Sequence, residues 1–93
     1  MDNKKLNKVR NLIDRLDIQL LNLIKKRTKL VNHVIKIKKY KKQIVDKKRI
    51  NKVLKKIKKN SVKKNIDPKI TVKIWSTMIK AYIDYEKRNF YKR

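Results

Sequence analysis

The chain has 93 residues, room for one domain, with 31 Lys and Arg against 7 Asp and Glu and a formal charge of +24. The absence of Gly argues against Gly-rich phosphate loops, and the absence of Cys with a single His excludes disulfides, thiolate chemistry and His/Cys metal clusters, so no metal is expected. With 2 Ser and that one His inside a helical stretch, the composition also argues against a serine nucleophile triad.

The start, MDNKKLNK, lacks an apolar signal core, and no apolar run reaches the length of a membrane span. The expectation is a soluble cytoplasmic protein without membrane contact. Residues from about 5 to 40 then read as one long helix. Leu6, Val9, Ile13, Leu16, Leu20, Leu23, Arg27, Leu30, Val34 and Ile37 are spaced alternately by three and four, a sustained heptad seam. At 1.5 Å per residue such a helix extends over about 50 Å. The residues that remain cannot cover it in a compact monomer, so it wants a second copy of itself.

Lys39 to Val45 reads as a polar loop. Asp46 offers an N-cap for a second helix, about 46 to 60, with Ile50, Val53, Leu54 and Ile57 on one face. Asn60 to Ile66 reads as a connector, and the Lys-rich stretch 52–64 as a solvated helix face leading into it. Asp67-Pro68 starts a third helix, Asp at the cap and Pro in the first turn. It is expected to run to about Phe90, with Val72, Trp75, Ile79, Tyr82 and Glu86 on one stripe. The expected fold is all-α, with a long, a short and a medium helix building an intertwined homodimeric bundle, one domain over 1–93.

Charged residues at apolar positions carry the most information. Arg27 sits in register with nine aliphatic residues, where an unpaired guanidinium is costly. It either snorkels out of the seam, pairs with an acid across a dimer, or meets an anionic ligand in a bundle pocket. Glu86, the only Glu, continues an apolar stripe and is either a core-edge carboxylate held by a Lys or a hydrogen-bonding head in a cavity. Lys38 follows Arg27 by 11 residues, on the same side of an ideal helix and about 16 Å along it, which leaves room for a small ligand between the two head groups. Arg10 precedes Arg27 by 17 residues, about 25 Å away and about 100° round the helix. It cannot share a pocket with Arg27 of its own chain but could reach one in an antiparallel partner. Arg49, in the first turn of the second helix, completes the candidate anion site.

These residues resemble the all-helical class of chorismate mutases, small intertwined dimers. The family pattern R..ID.LD..LL.L...R is met by Arg10, Ile13, Asp14, Leu16, Asp17, Leu20, Leu21, Leu23 and Arg27. The family Lys eleven residues on is matched by Lys38, the D..R segment by Asp46 and Arg49, and the third-helix ending by Trp75 through Ile79 to Glu86. The similarity covers roughly residues 6 to 90. It implies rearrangement of chorismate to prephenate without a cofactor or covalent intermediate. Arg10 from the partner and Arg27 would clamp the two substrate carboxylates. Lys38 and the side chain at position 86 would donate to the ether oxygen. Arg49 would assist at a carboxylate, and the backbone near Asp46 at the ring hydroxyl.

Three positions depart from the family pattern. Ile50 stands where these mutases usually place Glu, Tyr82 where they often have a small hydroxyl residue, and Glu86 where they usually have Gln. The loop from Lys38 to Arg49 is one residue shorter. Ile50 and Tyr82 look more like the isochorismate pyruvate-lyase branch of the same fold, which yields salicylate and pyruvate. To donate to an ether oxygen, Glu86 must carry a proton, so a rate that falls as pH rises is expected. A reading of another class, a basic helical module for nucleic acid, draws on the +24 charge. Basic residues spread along every helix and few aromatics limit that contact to non-specific, salt-sensitive binding.

Overall fold

A computed structural model describes residues 3–91. The elements are α1 (Asn3–Ile37), a 3₁₀ turn (Lys41–Gln43), α2 (Lys47–Lys63) and α3 (Pro68–Arg88), with no strand among the described residues. The all-α class and the long, short and medium helices agree with the periodicity. The chain divides into two compact units, one ending at His33 and the other starting at Val34.

In the first unit the chain is helical from Asn3 onward. Its heptad residues lie open in the single chain: Leu16 and Leu20 are each 56% exposed and Leu23 is 59% exposed. Leu12, Ile18 and Leu21 are exposed as well, so the apolar surface is broader than a two-position seam.

The second unit holds the buried groups. α2 packs on α3, and Ile50, Val53, Leu54 and Ile57 of α2 are half-buried together with Val72, Trp75, Ile79 and Tyr82 of α3. Both helices start as their caps dictate. The Asp46 carboxylate accepts from the Arg49 N–H at 3.0 Å, and the Asp67 carboxylate from the Lys69 N–H at 2.9 Å, with Pro68 in the first turn.

Three boundaries differ from the sequence reading. α1 stops at Ile37 rather than about residue 40. The backbone donors of Lys39 and Tyr40, which would continue the helix, are taken instead by the side chain of Gln43. α2 runs to Lys63, three residues beyond expectation, because Ser61 is not in a solvated connector. Ser61 is 4% exposed; its hydroxyl lies 2.6 Å from that of Thr71 on α3 and donates to the Ile57 carbonyl. α3 ends at Arg88, two residues short of Phe90.

The turn from α2 to α3 shows how a chain without Gly reverses direction. Asn65 takes the left-handed conformation with φ 58, which Asn tolerates better than most residues. The Asn65 N–H donates to the Val62 carbonyl at 3.1 Å and the Ile66 N–H to the Ser61 carbonyl at 2.9 Å. Those two bonds close a Schellman motif with Asn in the place that Gly usually holds.

Candidate active site

Lys38 and Glu86 reach one another in the second unit. Lys38 is the first residue past α1, and its N–H still donates to the Val34 carbonyl at 3.0 Å. The last helical bond therefore fixes the backbone from which its side chain leaves. Glu86 lies on the inner stripe of α3 and is 8% exposed. The Lys38 Nζ donates to Glu86 Oε1 at 3.1 Å, both side chains being largely shielded from solvent. Of the two readings left open for Glu86, the structure shows the first, a carboxylate held by a Lys. The pair can present an ammonium to an acceptor oxygen while a carboxyl group stands beside it.

The segment after Lys38 leads back to the start of α2. It was expected to be a polar loop, yet Ile44 within it is 3% exposed and anchors it. Lys38, Gln43, Val45, Asp46 and Lys47 line an open cavity of about 480 Å³. Asp46 uses its carboxylate as the cap of α2. What it can offer a ligand is therefore backbone. Arg49 is exposed on the first turn of α2, and Ile50 beside it is half-buried. Tyr82 is half-buried on α3, its ring edge-on to that of Tyr85 with centroids 6.2 Å apart.

Arg10 and Arg27 lie on α1 in the first unit, Arg10 exposed and Arg27 half-buried. Seventeen residues of helix keep them about 25 Å apart along the axis. One chain therefore cannot bring both guanidinium groups to a single small acid.

Sequence reasoning missed Gln43. Its carboxamide oxygen accepts from Lys39 N–H at 2.8 Å and from Tyr40 N–H at 2.9 Å. A Gln three residues after the residue that opens a helical turn is the spacing of half a capping box, and that spacing is the signal that could have found it.

No curated protein and no solved structure matches the chain. A family model described as chorismate mutase type II matches it over residues 9–87. That span takes in Arg10 and Arg27 of α1, the Lys38 segment, α2 and the Glu86 end of α3, and by it the chain belongs to the chorismate mutase type II family.

Proposed function

We propose that this chain rearranges chorismate to prephenate as a homodimer without a cofactor. The observation that carries the reading is the Lys38–Glu86 pair at 3.1 Å, in a chain whose family match includes both residues. The reaction breaks one C–O bond and forms one C–C bond within a single molecule. The protein supplies no nucleophile. It holds the folded conformer in which the bonding carbons meet, and it stabilises negative charge that grows on the ether oxygen. Lys38 donates to that oxygen. Glu86 does so in its protonated form, since a carboxylate would set like charge against it. Arg27 and the partner's Arg10 hold the two substrate carboxylates, with Arg49 at the rim and backbone near Asp46 at the ring hydroxyl.

The dimer is supported by two observations. The apolar residues of α1 stand open in the single chain, a surface larger than a stable monomer leaves in water. Arg10 and Arg27 are too far apart to serve one site from one chain. The setting is proposed to be cytoplasmic; no helix among the described residues is long and apolar enough to cross a membrane.

A second reading stays on the same fold. Ile50 next to Arg49 leaves an apolar side chain where a ring hydroxyl would need an acceptor, and half-buried Tyr82 narrows the α3 face. Both features favour isochorismate as substrate, with salicylate and pyruvate as products. Incubating the purified chain with each substrate separates the readings. Loss of chorismate with appearance of prephenate supports the mutase, and salicylate fluorescence from isochorismate at the faster rate replaces it with the lyase.

A further inference from the structure

We infer that Gln43 is a positioning residue for the reaction: it stops α1 directly after Lys38 and so sets where the Lys38 ammonium stands. The inference rests on the reading of the reaction proposed above. In an unbroken helix the N–H groups of Lys39 and Tyr40 would donate to the carbonyls four residues back, those of Ile35 and Lys36. Here both donate to the single carboxamide oxygen of Gln43, at 2.8 and 2.9 Å. Gln43 is itself held from both sides. Its own N–H donates to the Tyr40 carbonyl at 3.0 Å, and the next residue, Ile44, donates to the Lys41 carbonyl at 3.1 Å and buries its side chain. The acceptor that ends the helix is thus tied to an anchored turn.

The consequence falls on Lys38. Its N–H keeps the helical bond to Val34, while the two peptide groups after it leave the helix. Without the Gln43 oxygen those two donors regain the helical carbonyls or turn to water. A regained turn of helix would redirect the chain between Lys38 and Asp46. Lys38, Gln43 and Asp46 line the same cavity, so both ends of the segment would move together. Hydrogen bonds at an exposed turn add little to stability. Their effect here is on the direction of one ammonium, to which the barrier is sensitive.

Gln43→Met keeps the length and flexibility of the side chain and removes the acceptor; Gln43→Glu keeps an acceptor oxygen. The expected result is a kcat lowered about 10- to 100-fold in Gln43→Met with KM changed much less, and near-native kcat in Gln43→Glu. Amide exchange at Lys39 and Tyr40 should quicken or shift in Gln43→Met alone. If Gln43→Met does not fold, Gln43→Asn, one methylene too short to reach both donors, takes its place. A wild-type kcat in the variant that lacks the acceptor overturns the inference, as does an equal loss in Gln43→Glu. Unchanged exchange at both amides overturns the clamp itself and needs no assay. A wild-type chain that turns over neither substrate overturns the reaction assigned above, and the exchange measurement still decides whether Gln43 holds the helix end.

Discussion

The Lys38 ammonium and the Glu86 carboxylate stand 3.1 Å apart across 48 residues of sequence, one just past the end of α1 and the other on the inner stripe of α3. The contact pins the start of the segment that returns to α2 against the last helix. It also brings together the two side chains to which the proposed reaction assigns the ether oxygen.

Replacing Lys38 by Ala should therefore do two separable things. Loss of one donor to the developing charge should lower kcat by about 10²- to 10³-fold. Removal of the cation facing a buried carboxylate should also destabilise the fold by about 1–3 kcal/mol. Adding Glu86→Ala should recover much of that stability and none of the rate. Urea unfolding and turnover measured on the same three proteins check both halves. Substantial turnover in Lys38→Ala would remove Lys38 from the mechanism.

Position 86 tests whether a polar group is needed beside Lys38. A carboxamide has N–H groups to donate, so Glu86→Gln should keep activity, whereas Glu86→Leu, which can neither donate nor accept, should lower kcat by about 10- to 100-fold. Turnover of the two variants is the measurement, and a wild-type kcat in Glu86→Leu would remove position 86 from the mechanism.

Much of this arrangement can be read from the residues. Asp46 and Asp67-Pro68 announce two helix starts, and Arg27 announces itself by interrupting an aliphatic seam. What cannot be read locally is which long-range partner a polar group finds. Glu86 meeting Lys38, and Ser61 meeting Thr71, are tertiary events that no window of sequence contains. Ile44 sits among lysines and polar residues without periodic company, so its burial leaves no pattern. The early stop of α1 has the same origin, since a side chain that returns to backbone three and four residues earlier competes with the helix without breaking its apolar rhythm.

The turn at Asn65 offers a test of stability away from the site. With φ at 58, a residue bearing Cβ and no compensating polar head is strained there. Asn65→Ala should cost about 1 kcal/mol, whereas Asn65→Gly should be neutral or slightly stabilising. Denaturant midpoints at constant slope report the difference. Turnover per folded molecule should be unchanged in both, because α2 and α3 are still joined through the Ser61–Thr71 contact.

A dimer whose sites borrow Arg10 from the partner predicts complementation. Arg10→Ala alone and Lys38→Ala alone should each be inactive. When the two variants are mixed and allowed to exchange subunits, half the dimers become mixed. In each of these, one site has lost both groups and the other has kept both, because the intact Lys38 of one chain faces the intact Arg10 of its partner. About a quarter of wild-type activity should return on mixing. A mixture that stays inactive although mass spectrometry shows exchange would place Arg10 and Lys38 in the same site of the same chain, and an Arg10→Ala protein that is active alone would place Arg10 in none.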